Sequence, residues 1–565
     1  MKNILYIVMR RMRAPLILLI CAYSIAMMGL VLIPGEDPNG NVWHMDFLHA
    51  FYFVSFMAST TGFGEIPYEF TAAQRLWVTI TIYLTVVVWL YSIGTIISLV
   101  QDPAFRQALR ERRFAAQVKR LREKFYIICG YGETGRELVH SLTCQDCRAV
   151  VVEESRERIN ALQMESLPSY VPALCGDAGN PEHMLMAGLN HKMCAGVVAL
   201  SRGNTVNLKT AITAKLLNNN VKVICRADSY DVEANMDSFG TDHIVDPFDL
   251  FSSYLATAFQ APCLYLIQEW LLGNFDSPLK DPLYPPKEGH WIICGYGRFG
   301  KAVYKTLYSE GIETAVIEMA PERTGQPKGR FVKGRGTEAV TLKEAGVEDA
   351  IGLVAGTDDD VNNLSIIMTA QELNPDLFVV LRQNRQGNHA LFDVVKKDMW
   401  MHPSSIIANR IRMLLSSPML AKFLEQAQGN SDEWACNLVS RIAAVVEDRA
   451  PAVWEVDVDA VSAPAYCRAI NEGKDIKLIN LLRMPRNRKR KLLCVPLMHV
   501  RGENKTLLPE PDLSLKVGDK LLFCGRSSSD GFMRWGMQND NILSYLLTGK
   551  TQPEGTVWKW LASKG

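Results

Sequence analysis

Phe125-Tyr-Ile-Ile-Cys-Gly-Tyr-Gly-Glu-Thr-Gly135 returns as His290-Trp-Ile-Ile-Cys-Gly-Tyr-Gly-Arg-Phe-Gly300, an offset of 165 from Cys129 to Cys294. Each copy reads as an apolar strand, a glycine turn and the start of an amphipathic helix. A second strand ending in an acid follows each at the same offset, Val150-Val-Val-Glu153 and Ala315-Val-Ile-Glu318. Further strands pair as Gly196–Leu200 with Gly352–Ala355 and Val221–Cys225 with Leu377–Leu381. Strands alternating with helices predict two doubly wound parallel sheets in tandem.

A G-x-G-x-x-G run that follows a strand, opens a helix and is trailed by an acid predicts a nucleotide site. The glycines let a pyrophosphate approach the helix N-terminus, and the acid accepts hydrogen bonds from ribose hydroxyls. The candidate residues are Gly130, Gly132, Glu133, Thr134, Gly135, Glu153 and Asp177 in the first copy. In the second they are Gly295, Gly297, Arg298, Phe299, Gly300 and Glu318. Glu153 and Glu318 disfavour a 2′-phosphate, so the expected ligand is NAD or an ADP-like adenine nucleotide. Glu133 would repel phosphate where Arg298 attracts it, while Asp177 is kept in the first copy and replaced by Arg335 in the second. These two signals point in opposite directions about which copy binds more tightly.

Toward the N-terminus the character changes. Ala14–Ile33 and Ala72–Val100 are apolar runs, each long enough at ~1.5 Å per residue to cross the ~30 Å bilayer core. Thr71-Ala-Ala-Gln74 reads as a capping box, and Pro103 is expected to stop the second helix. Arg10, Arg11 and Arg13 precede the first run and a cluster from Arg106 to Arg122 follows the second, with no Lys or Arg from Ala14 to Gln74. The positive-inside rule then puts both termini and the soluble part in the cytoplasm. No arginine-repeat helix is present, which excludes voltage sensing by that device.

Between the runs, Asp46–Ala58 is apolar but about half the length of a span, so it reads as a re-entrant helix with Asp46 at its positive end. Ser59-Thr-Thr-Gly-Phe-Gly-Glu65 follows, where small residues and glycines let successive carbonyls face one way, as a dehydrated cation needs. Thr60-Thr61-Gly62-Phe63-Gly64 resembles the potassium-channel filter TVGYG in the span, pore-helix, filter, span order of two-span channels. The resemblance implies potassium held at Thr60, Thr61, Gly62 and Phe63. Phe63 for Tyr removes a hydroxyl that braces the filter in the family. Glu65 beside it would concentrate cations at the mouth, and Gly94, alone in the second span, is a candidate gating hinge.

Beyond the first copy, the apolar stretch Phe251–Gly273 looks like a further span, but its counterpart Ile407–Gln428 carries Asn409, Arg410 and Arg412. Both are therefore expected to be proline-broken helix pairs burying apolar faces against another repeat or subunit. The basic run Arg486–Lys491 reads as an exposed hairpin loop inside a strand-rich C-terminal unit. The layout resembles the regulator-of-potassium-conductance family, whose nucleotide-binding lobes the two GYGxxG units match. The expected domains are 1–101 pore, 102–124 linker, 125–287 and 288–430 regulatory units, 431–545 small C-terminal lobe and 546–565 tail.

The overall expectation is an α-helical pore domain joined to tandem α/β Rossmann-like units and a small α+β lobe. The resemblance implies a non-enzymatic, multi-pass channel of the inner membrane, gated by nucleotide with the sign left open. A filter ring needs four chains, hence a homotetramer in the lipid bilayer. Divalent regulation, calcium included, is implied without a placed site; Asp228, Asp231, Glu233 and Asp237 form the densest nearby acidic cluster. The alternative is a pore-containing subunit of a nucleotide-regulated potassium uptake transporter. The formal charge of +1 gives no bias toward nucleic acid. The 13 cysteines show no framework spacing and suggest a reducing compartment, and Cys144-Gln-Asp-Cys147 is half a zinc site without its other half.

Overall fold

A computed structural model of the chain describes residues 4–145, 147–228, 230–273 and 277–550. Residues 1–120 and 121–565 form two compact units. The first unit contains α1 (Ile4–Leu32), α2 (Phe47–Ala58), α3 (Ala72–Gln101) and α4 (Pro103–Lys119). Two helices, Val8–Leu32 and Ala72–Gln101, are long and apolar enough to cross a membrane, whereas α2 is not.

The local signals act as read. The Asp46 carboxylate caps α2 by accepting the His49 N–H at 2.7 Å, and Thr71 with Gln74 closes a capping box on α3. Pro103 does more than stop α3. It occupies the first turn of α4, capped by Asp102, so most of the expected linker is helix. α2 buries Phe53, Val54, Phe56 and Met57 against Ala26 and Leu30 of α1 and against Phe70. Trp77 of α3 donates its indole N–H to the Ala26 carbonyl at 3.1 Å. Its ring lies where a side chain at Gly29 would sit, which fixes glycine there.

In the second unit, the first sheet comprises β1 (Phe125–Cys129), β2 (Arg148–Glu153), β3 (Ala173–Cys175), β4 (Cys194–Ala199), β5 (Lys222–Arg226) and β6 (His243–Val245). It is parallel in the order β3-β2-β1-β4-β5-β6. The second repeats that order with β7 (His290–Cys294), β8 (Glu313–Glu318), β9 (Arg330–Lys333), β10 (Gly352–Ala355), β11 (Phe378–Arg382) and β12 (Met399–Met401). The chain reverses direction across the sheet between β1 and β4, and between β7 and β10. That is the topological switch point at which such sheets bind ligands.

The proline-broken segments are helix pairs, Pro247–Gln260 with Pro262–Leu272 and Pro403–Ser416 with Pro418–Ala427. They exchange partners. Phe248, Phe251, Leu255 and Phe259, which follow the first sheet, pack on Trp291, Phe299 and Val303 of the second. Ile407, Ile411, Leu414 and Leu415, which follow the second sheet, pack on Leu138, Val139 and Leu142 of the first.

The C-terminal lobe holds an antiparallel sheet of Ala452–Asp457, Lys520–Gly525, Cys494–Arg501 and Asn504–Leu507. The basic run is not simply a loop: Asn487–Lys491 is a strand paired with Arg483–Met484, turning through Pro485 and Arg486. The cysteine reading also needs correction, because Cys263 and Cys436 are disulfide-bonded across 173 residues. That pairing arises from packing, so no sequence spacing announces it. Cys144 and Cys147 are not joined to each other by a disulfide.

Candidate functional site

The segment after α2 has backbone torsions that alternate in sign. Thr60, Gly62 and Gly64 have φ of 61°, 68° and 99°, while Thr61 and Phe63 between them are not left-handed. Such alternation turns successive carbonyls to one side. Thr60 is the costly member, since a β-branched residue rarely adopts this conformation. It is held there by its N–H on the Met57 carbonyl at 3.1 Å, with the Thr61 N–H on Phe56 at 2.9 Å. The Ser59 and Thr61 hydroxyls are 3.0 Å apart. Phe63 meets Phe56 edge-on at 5.5 Å, an apolar brace where the family's Tyr would use its hydroxyl. Glu65 departs from the sequence reading. Both its oxygens bond Arg75, at 2.8 and 3.0 Å, and it also accepts the Phe70 N–H. Its charge is therefore largely neutralised and contributes little to a cation-attracting mouth. Gly94 lies within an unbroken α3, and a side chain there would meet nothing.

Each glycine loop joins its first strand to a helix, Glu133–Cys144 or Arg298–Ser309. Gly130 and Gly295 carry φ of 105° and 96°. Side chains at Gly135 or Gly300 would overlap the carbonyls of Gly130 and Gly295, so the third glycine of each motif permits strand and helix to close. The two acids are anchored alike. Glu153 accepts the Tyr131 and Ser155 N–H groups, and Glu318 accepts those of Tyr296 and Ala320 at 2.7 and 2.9 Å.

The charges around the loops differ. In the first copy Arg158 folds back on Glu153 at 3.4 Å and lies beside Gly132. Asp177 pairs with Lys209 at 3.0 Å. Glu133 points at the second copy, where it accepts the Gln386 N–H at 3.4 Å; Thr134 and Gly135 are buried. In the second copy a cavity of about 620 Å³ opens between Gly295, Gly297, Glu318, Gly336 and Thr357, with Arg298, Arg323, Arg335 and Arg382 in its lining. Phe299 faces away from it, buried under Phe251.

Arg382 stacks over Phe248 and Phe299, and burial pushes its guanidinium down to about 10. Its Nε has no hydrogen-bond partner among the described residues. Arg298 reaches out of the loop to Asp228 of the first copy, bonding its carbonyl at 3.0 Å and its carboxylate at 3.2 Å. Asp228 also holds Arg226, so this member of the acidic cluster is committed to two arginines and is not an open cation site. Arg323 and Arg382 escaped the sequence reading. The repeat itself carries the signal, because they occupy the positions of Arg158 and Arg226 in the first copy.

Residues 126–247 and 291–403 match the TrkA-N domain family, and residues 16–102 match the ion channel family. "Potassium channel protein 1" of Methanocaldococcus jannaschii is 27% identical over 203 residues, 36% of this chain and 59% of that protein. A "Trk system potassium uptake protein TrkA homolog" of Pyrococcus abyssi is 32% identical over 147 residues, 24% of this chain and 65% of that protein. The chain thus spans less than two thirds of the length of either relative. The solved "GsuK Channel" superposes with a TM-score of 0.51 at 16% identity, covering 95% of this chain and 100% of that one, which is a likeness of fold. Channel segment first, paired glycine-loop domains after it: the chain joins one segment that matches the ion channel family to two that match the TrkA-N domain family.

Proposed function

We propose that the chain is the subunit of a homotetrameric potassium channel whose tandem regulatory domains bind an adenine nucleotide, NAD or ADP, and so set its opening. The observation that carries this reading is the alternating backbone from Thr60 to Gly64, placed after a half-length helix and between two spans. Four such segments around an axis offer rings of carbonyls that replace the hydration shell of potassium. Relatives and a neighbour of the same fold point the same way: two are named for potassium channel and potassium uptake functions, and other solved structures are titled GsuK bound to ADP and to NAD.

Thr60, Thr61, Gly62 and Phe63 supply the ion sites, and Gly94 the bend. Both termini and the regulatory domains face the cytoplasm, with the arginine-rich flanks on that side. Gly130, Gly132, Gly135 and Glu153 form one nucleotide site, and Gly295, Gly297, Gly300 and Glu318 the other. The arginine-lined cavity makes the second the tighter of the two for phosphate. Nucleotide gates by binding open and closed arrangements unequally. Divalent regulation has no placed site in this reading: among the described residues, the group of three metal-ligating side chains that converges is Cys263, Asp432 and Cys436.

Single-channel recording from purified protein in a planar bilayer tests this, under a potassium/sodium gradient with NAD or ADP added to one face. A reversal potential near potassium equilibrium, with opening changed by nucleotide, is the expected outcome. Selective current indifferent to nucleotide would remove the gating half. An absence of current under either ligand would favour a transporter subunit.

A further inference from the structure

The disulfide between Cys263 and Cys436 joins two helices far apart in sequence. Cys263 is the second residue of Pro262–Leu272, the helix that ends the first regulatory copy, and Cys436 is the fifth of Asp432–Ala443, which leads into the C-terminal lobe. Leu266, Ile267 and Trp270 of the first helix share one core with Leu438 and Ile442 of the other. Val495, Leu497 and Leu522 of the C-terminal sheet complete it. Asp432 accepts the Cys263 N–H at 2.9 Å, and its carboxylate lies within 4.8 Å of both sulfurs.

These two sulfurs differ from the rest. Among the described residues no other cysteine is in a disulfide, and six of those others are buried. Desolvation raises the thiols of Cys129, Cys225, Cys294 and Cys524 and keeps them protonated, hence inert. Cys263 is 9% exposed, whereas Cys436 is only partly covered, so an attacking thiolate meets Cys436 first.

We propose that Cys263 and Cys436 form a redox-controlled strap between the first regulatory copy and the C-terminal lobe. Two glutathione molecules acting in turn reduce the bond, and so does one dithiol. The first thiolate attacks Cys436 Sγ, the Sγ–Sγ bond breaks, and Cys263 leaves as a thiolate that takes up a proton. The second thiol of the reductant then attacks the mixed disulfide and releases Cys436. The products are two protein thiols and one disulfide of the reductant, so electrons and protons balance. Oxidation runs the exchange backwards against a low-mass disulfide such as oxidised glutathione.

The apolar core between the helices persists in both states, since it does not depend on the bond. What the strap removes is their freedom to slide. Oxidation therefore stiffens the join through which one copy moves against the lobe, and reduction loosens it. This inference is independent of the nucleotide reading and needs no channel current to be tested.

The test uses full-length protein in detergent, equilibrated in glutathione buffers from fully reduced to fully oxidised. Samples are quenched in acid, alkylated and mapped by peptide mass, with amide hydrogen exchange followed in parallel. The peptides carrying Cys263 and Cys436 should titrate together as one disulfide. Exchange across 262–272 and 432–443 should slow by about threefold or more on oxidation, and Cys436→Ser should lose that difference while remaining folded. Thiols that alkylate fully in every buffer would overturn the proposal, as would oxidation that leaves exchange unchanged. So would one zinc ion per chain in the reduced protein that Cys436→Ser releases, since the group would then be a metal centre.

Discussion

Arg298 stands where the two glycine loops diverge most, opposite Glu133 in the first copy. It is held by Asp228, and a phosphate entering the second cavity must draw it away. Charge-assisted hydrogen bonds of this kind contribute ~1.5–3 kcal/mol. Arg298→Ala should therefore weaken ADP binding at the second copy by roughly tenfold to a hundredfold, read by isothermal titration. His402 makes a second prediction. Burial holds its imidazole down to about 4, with Nδ1 on the Ser405 hydroxyl at 2.7 Å and that hydroxyl donating to Glu137 of the first copy. A base whose folded pKa is depressed adds stability above its unfolded value, and that stability fades as pH falls through the folded one. The second unit should thus lose up to about 3 kcal/mol between pH 6.5 and pH 4. Denaturant melts of His402→Gln should lack this slope. The sequence made Glu153 and Glu318 legible because a motif fixes their distance from the glycines. It left Arg382 obscure, because that side chain matters only once Phe248 from the other copy is beneath it.

At the scale of elements, α3 carries its own prediction. Gly94 meets no neighbour within the chain, so alanine fits, and it favours helix over glycine by about 1 kcal/mol. Gly94→Ala should leave expression and reversal potential intact while shifting open probability in single-channel records. An unchanged open probability would place the bend elsewhere. Helices and parallel strands were readable because each carries a strong periodic or capped signal, as at Asp46, Thr71, Pro262 and Pro418. Asn487–Lys491 was not. A run of exposed basic residues has no alternating apolar face, and it becomes a strand only by pairing with Arg483 and Met484. Pro103 reads from sequence as a stop, because the Asp102 cap that makes it a start depends on the turn between two helices.

For the whole molecule, the exchanged helix pairs decide what folds alone. The first sheet completes its core with Ile407, Ile411, Leu414 and Leu415. At ~1.5–3 kcal/mol for each buried aliphatic side chain, their loss removes as much as a typical domain's entire stability of ~5–15 kcal/mol. A fragment of residues 121–287 should therefore lack near-ultraviolet circular dichroism, and regain it when co-expressed with residues 288–565. A native-like signal from the fragment alone would contradict this. The sequence tells that Phe251–Gly273 is not a span and buries an apolar face against another repeat or subunit. Which repeat it chose depends on three-dimensional closure, and no local pattern encodes that.

The exchange also bears on how the two copies came to differ. Where identical subunits swap arms, a substitution alters both faces of the joint at once, and a charge placed on one side is forced on the other. Here each face occurs once per chain and always meets the same partner. Glu133 and Arg298 can hold opposite charges because no symmetry binds them. Each glycine loop is then free to specialise on its own, with assembly undisturbed.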